Sequence, residues 1–112
     1  MGRNTPRISV VLPFRDASAT LQEAVVSILD QSEGDFELLA VDDGSTDSSA
    51  VMLKDMAIGD NRIQPLASVG RGIVQALNLG LEKARASYVA RMDADDICHP
   101  ERFAGQLEFL DR

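Results

Sequence analysis

Three short runs of this chain, Ile8 to Leu12, Phe36 to Val41 and Tyr88 to Met92, are apolar at most positions, and Arg62 to Leu66 is a weaker fourth. A strand with one wet face alternates apolar with polar residues, so runs of this kind predict strands covered on both faces, as in parallel sheets. Pro13 is expected to close the first run. Between the runs the spacing changes to that of helices. Leu21, Ala24, Val25, Ile28 and Leu29 recur at helical intervals up to Gln31, with Thr20 and Glu23 at capping-box spacing. Asp47 is placed to cap a helix carrying Ala50, Leu53, Met56 and Ala57. Gly70 and Gly72 punctuate a loop before Ile73, Leu77, Gly80, Leu81 and Ala84, and Pro100 occupies an expected first helical position ahead of Phe103, Leu107 and Leu110. Strands alternating with helices predict an α/β fold: a Rossmann-like, right-handed, mostly parallel sheet with flanking helices, which binds ligands at the carboxyl ends of its strands. A length of 112 residues supports one such domain, residues 1–112, and not two.

Acidic residues gather where that architecture puts ligands. Asp42 and Asp43 end the second run, and Asp93, Asp95 and Asp96 follow the run Tyr88 to Met92, the last strand along the chain. Three carboxylates within four residues repel one another unless a cation compensates, and hard divalent ions such as Mn²⁺ or Mg²⁺ accept this kind of oxygen donor. The alternative is a polar loop that caps the helix after Pro100. At the second strand end, one aspartate is free to accept a ring N–H from a base while Ser45 to Asp47 start a helix. The formal charge of −7 argues against a nucleic-acid binder, which needs a basic face, and it requires something local and positive to hold an anionic ligand. Arg71, between Gly70 and Gly72, is a candidate for contacting base or phosphate. The third glycine of a dinucleotide fingerprint is missing, and no Walker or nucleophile-elbow sequence occurs. Cys98, the one cysteine, reads as packing, and His99 as a residue at a helix start. A single cysteine and the absence of a long apolar segment suit a cytoplasmic setting, with membrane association of a longer protein left open.

Val10-Val11-Leu12-Pro13-Phe14-Arg15-Asp16, Val41-Asp42-Asp43-Gly44-Ser45-Thr46-Asp47, Ala90-Arg91-Met92-Asp93-Ala94-Asp95-Asp96 and His99-Pro100-Glu101-Arg102 together resemble family 2 glycosyltransferases, from about Ile8 to the end. The resemblance implies the GT-A fold. It implies nucleotide-sugar binding by Pro13, Phe14, Asp16, Asp43, Arg71 and Asp93, with Pro13 and its neighbours lining a base pocket, Asp43 on the base and Asp93 on the ribose side. Asp95 would hold the metal that bridges the diphosphate, with Asp93 and Asp96 as further candidate ligands. The implied reaction is inverting, metal-dependent transfer of a sugar from a nucleotide-diphosphate donor, a UDP-sugar being commonest, to an acceptor that is a glycan, a lipid or a protein.

Two departures stand out. Phe14-Arg15-Asp16 replaces the hydroxyl or aromatic residue followed by Asn that such enzymes often carry. Helical periodicity also persists to Arg112, so the chain reads as the N-terminal part of a longer enzyme, with no catalytic residue of its own and with the catalytic base beyond residue 112. Truncation would then leave apolar surface for self-association. The rival readings are a non-catalytic nucleotide-binding module and a phospho-acceptor receiver domain. The latter places its acidic pair after the first strand, which here ends in Pro13.

Overall fold

A computed structural model describes residues 5–68, 70 and 72–110, the last four as helical backbone alone. The elements alternate without exception: β1 (Ile8–Phe14), α1 (Leu21–Leu29), β2 (Phe36–Asp42), α2 (Ser49–Gly59), β3 (Ile63–Ala67), α3 (Ile73–Lys83), β4 (Tyr88–Arg91) and α4 (Arg102–Leu110). The strands form one sheet in the order β3-β2-β1-β4, and every pairing is parallel. Ile8 aligns with Phe36 on one side and with Tyr88 on the other, so β1 and β2 run together to Phe14 and Asp42 at the carboxyl edge.

The period of two along β1 and β2 divides the protein into two layers. Ile8, Val10, Leu12 and Phe14 join Phe36, Leu38 and Ala40 in the main core, with Leu21, Ala24, Val25 and Ile28 of α1, Leu53 of α2 and Phe103 of α4. Phe103 meets Phe36 edge-on at 5.8 Å between ring centres. The opposite face of β1 and β2 is covered by α3. Gly80 makes that close approach possible, because a Cβ there would overlap the Val11 side chain.

On the α3 face, Glu37 lies in the middle of the sheet with 2% of its surface exposed. It accepts hydrogen bonds from Ser9 Oγ at 2.6 Å, from the Arg85 backbone N–H at 2.7 Å and Nε at 3.0 Å, and from Gln64 Nε2 at 3.2 Å. Burial pushes this carboxyl's pKa up, and the bonds from Ser9 and Arg85 outweigh it, holding the group below the ordinary glutamate value. One carboxylate thereby ties together β1, β2, β3 and the segment after α3.

Several boundaries differ from the sequence expectation. Pro13 lies inside β1, paired with Val41. In a parallel strand the N–H and C=O of one residue face the same neighbour. Pro13 shares the parity of Val11, whose carbonyl accepts the Met92 N–H at 3.0 Å, so its missing donor faces the side where β4 has already ended. The Thr20–Glu23 capping box does not form, because Thr20 makes no side-chain cap bond and the Ala17 carbonyl takes the N–H groups of Thr20 and Leu21 at 3.1 and 2.9 Å. Helix α1 stops at Leu29 and leaves the side chain of Gln31 to another task, described below. Pro100 precedes α4 by two residues. Its carbonyl accepts the Ser32 N–H at 2.9 Å, while His99 opens the turn through its carbonyl to Arg102 N–H at 3.0 Å and its Nδ1 to Glu101 N–H at 3.1 Å.

Helix α2 begins at Ser49 with Ser48, one residue after the expected Asp47, at its N-cap and without a side-chain cap bond, yet Asp47 still braces its start. Asp47 Oδ1 accepts the Ser49 N–H at 2.9 Å and also the Ser49 hydroxyl, and Oδ2 accepts the Ser18 N–H at 3.1 Å. The hydroxyl and N–H of Ser49 pull the Asp47 pKa down to about 2. Among the described residues no helix is long and apolar enough to cross a membrane.

Candidate donor site at the carboxyl edge

The ends of β1 and β2 enclose a cavity of about 240 Å³ lined by Pro13, Phe14, Arg15, Asp43 and Ile73. Three expected base-pocket residues, Pro13, Phe14 and Asp43, therefore share one cavity. Asp43 is 4% exposed, and its backbone N–H extends the ladder to the Phe14 carbonyl at 2.9 Å. Its carboxylate accepts Ser68 Oγ at 2.7 Å through Oδ1 and the Gly72 N–H at 3.1 Å through Oδ2. Each oxygen uses one of its two lone pairs on the protein, so the group is oriented and still has acceptor capacity. Gly44, with φ of 83°, lets the loop after β3 approach, since a Cβ there would sit 3.3 Å from the Gly70 Cα.

The two aspartates at this edge divide their work. Asp42 Oδ1 accepts the Ser45 N–H at 2.8 Å and shapes the turn, while Asp43 lines the cavity. Asp16 is not among the lining residues. Its Oδ1 accepts the N–H groups of Thr46 and Asp47 at 2.6 and 3.2 Å, so it braces the turn ahead of α2. Arg71 lies outside the described residues. Ser68, Ile73 and Arg15 were not picked out from the sequence. Ser68 and Ile73 reach the site from beyond β3 and from the start of α3, a proximity that no local pattern encodes, whereas Arg15 stood inside a recognised motif.

The acidic segment follows β4 on the other side of β1. One carboxylate oxygen each from Asp93, Asp95 and Asp96 lies within 4.8 Å of the other two, and all three residues are exposed. Asp96 N–H bonds the Asp93 carbonyl at 3.1 Å to close the turn, and Arg91 reaches Asp93 Oδ1 at 3.3 Å with both side chains about half exposed. Three hard oxygen donors this close fit a divalent ion that keeps part of its shell for other ligands. The loop that carries them is anchored from α1. Buried Gln31 donates to the His99 carbonyl at 2.7 Å and accepts the Phe103 N–H at 3.0 Å, and Cys98 N–H bonds Ser27 Oγ at 2.9 Å. Cys98 is itself buried, and that burial raises its thiol pKa, in keeping with a packing role. A larger groove of about 860 Å³ runs along α1 past Ile97 and Pro100, and none of the expected site residues lines it.

This arrangement, a parallel α/β sheet with a cavity and an acidic turn on one edge, has the fold of GT-A glycosyltransferases. The sequence match is more specific: the chain belongs to Glycosyl transferase family 2, which it matches over residues 9–112. An uncharacterised glycosyltransferase of Haemophilus influenzae is 34% identical over 108 residues, covering 96% of this chain and 43% of that protein. Among solved structures, the mannosyltransferase PcManGT from Pyrobaculum calidifontis, in complex with GDP-Man and Mn²⁺, superposes with a TM-score of 0.87 at 24% identity, over 96% of this chain and 33% of that one. TarS 1-349 of S. aureus, in complex with UDP-GlcNAc, gives a TM-score of 0.85 at 23% identity, over 94% of this chain and 31% of that one. The chain thus spans less than half the length of each of these proteins.

Proposed function

We propose that this chain is the donor-binding part of an inverting glycosyltransferase that takes a sugar from a nucleotide-diphosphate donor, with a UDP-sugar as the working assignment. The observation that carries the reading is that a buried, oriented carboxylate in a cavity and a three-carboxylate turn share the carboxyl edge of one parallel sheet. The GDP-Man and UDP-GlcNAc held by the two solved neighbours support the ligand class. In this reading Pro13 and Phe14 bound the base, Asp43 accepts its ring N–H, Asp93 lies on the ribose side, and Arg71 serves the nucleotide.

Asp95, with Asp93 and Asp96, is assigned to hold Mn²⁺ or Mg²⁺. Such an ion, when bound, supplies positive charge against the diphosphate that leaves as the anomeric carbon is attacked. The chain's own carboxylates do electrostatic and positioning work and move no proton. Removing the acceptor's hydroxyl proton is assigned to a base outside residues 1–112. The isolated chain is accordingly expected to bind donor without transferring sugar, and turnover onto an acceptor at an ordinary enzymatic rate of ~1 s⁻¹ or more would overturn that assignment.

Equilibrium titration with UDP, GDP, CDP and dTDP, each with Mn²⁺ and with chelator, tests the donor-site reading. Saturable binding that Mn²⁺ strengthens is the expected result. No binding of any of the four in either condition would contradict it.

A further inference from the structure

The cavity at the β1 and β2 ends contains a charge that the proposed function does not use. Arg15 lines it together with Asp43, and it stands where the family motif commonly has an aromatic or hydroxyl side chain. Among the described residues Arg15 makes no ion pair or side-chain hydrogen bond, unlike Arg7, Arg62, Arg85 and Arg91, which pair with Glu33, Asp60, Glu37 and Asp93. Among the described residues, an exposed arginine lacking a protein partner and a buried carboxylate thus line one 240 Å³ cavity whose other walls, Pro13, Phe14 and Ile73, are apolar.

We infer that Arg15 is a base-reading residue: its guanidinium donates to the 4-carbonyl of the ring, which flanks the N–H accepted by Asp43 and which cytosine replaces with an amino group. The inference rests on the donor-site reading and adds selectivity to it. A carboxylate facing the ring N–H of uracil also faces the carbonyls on either side, whose oxygens it repels. A cation beside one of those oxygens converts the repulsion into a charge-assisted bond. Cytosine held in the same orientation presents no ring N–H to Asp43, and it carries an amino group in place of one carbonyl. Arg15 therefore contributes to uracil binding and little to cytosine binding. The apolar walls contact both rings alike and do not discriminate.

The test compares UDP with CDP, both in Mn²⁺, on the wild-type chain, Arg15→Ala and Arg15→Gln, with circular dichroism to confirm the fold. Wild type is expected to prefer UDP. Arg15→Ala should weaken UDP roughly 10- to 100-fold, the scale of one charge-assisted hydrogen bond, while changing CDP no more than about threefold. Arg15→Gln, which keeps an N–H donor without the charge, should retain an intermediate preference. Equal losses for UDP and CDP would mean that Arg15 serves a group common to both, the phosphates or the 2-carbonyl, and no change in either would mean that it is a rim residue; each result overturns the inference and leaves the donor site standing. If wild type binds neither nucleotide, the donor-site reading itself fails.

Discussion

Asp43 and Glu37 are both buried carboxylates on β2 or at its end, and their partners separate their roles. Glu37 is surrounded by protein donors from Ser9, Gln64 and Arg85, so it holds the sheet together. Replacing it with Ala removes the acceptor from all three and should cost about 2–3 kcal/mol in urea unfolding at pH 7. Its folded pKa is depressed, so its stabilisation is present above the unfolded carboxyl value and is lost as pH falls through the folded value. The gap between wild type and Glu37→Ala should therefore narrow from pH 7 to pH 3; a gap that stays constant would contradict the assigned ionisation. Asp43 has a protein donor on each oxygen and an open cavity in front. Asp43→Asn should weaken uridine nucleotides by about 1–3 kcal/mol by calorimetry, to the same extent with Mn²⁺ and with chelator. A loss confined to one of the two conditions would remove Asp43 from the base. The sequence pointed to an aspartate at this strand end because turn chemistry and strand polarity are local. It gave no hint of the Glu37 network, whose partners lie 27 to 48 residues away. Nor did it distinguish Asp16 as a turn brace, since its bonds to Thr46 and Asp47 cross from one loop to another.

Between elements, the tightest tolerance is the contact of α3 with β1. Ala favours a helix over Gly by about 1 kcal/mol, so Gly80→Ala would stabilise α3 in isolation. The added methyl would overlap Val11 in this packing, and overpacking of that kind costs about 1–3 kcal/mol. We predict net destabilisation in denaturant unfolding, relieved when Val11→Ala is added. A stabilised Gly80→Ala protein would show that α3 is free to lift. All eight elements and their order were legible from periodicity, because strands buried on both faces and amphipathic helices leave different patterns. Their ends were less so. Pro13 reads as a terminator, yet it is tolerated where β4 has already ended on its donor side. Thr20 and Glu23 have the spacing of a capping box that the Ala17 carbonyl makes unnecessary, and Gln31 leaves α1 because its side chain bridges to His99 and Phe103. Each of these outcomes is decided by a neighbour distant in sequence.

At the scale of the whole molecule, the acidic balance and the donor site are one problem. On the proposed function, a protein of formal charge −7 that binds a diphosphate beside three clustered carboxylates needs a cation there. β1 lies between the two halves of the site, with β2 and Asp43 on one side and β4 with the acidic turn on the other. The parallel order thus brings the aspartate proposed to face the base and the cluster proposed to hold the metal to one edge while keeping them on separate strands. Their contributions should then separate experimentally. Asp95→Asn, on an exposed turn, should leave the circular dichroism spectrum and the unfolding midpoint unchanged. Calorimetric titration of UDP into wild type, Asp95→Asn and Asp96→Asn, each with Mn²⁺ and with chelator, tests the account most directly. The account predicts that Mn²⁺ strengthens UDP binding to wild type, that Asp95→Asn abolishes most of this enhancement, and that Asp96→Asn loses less. An Asp95→Asn protein that retains the full Mn²⁺ enhancement would contradict the metal assignment and return the acidic turn to a role in capping α4.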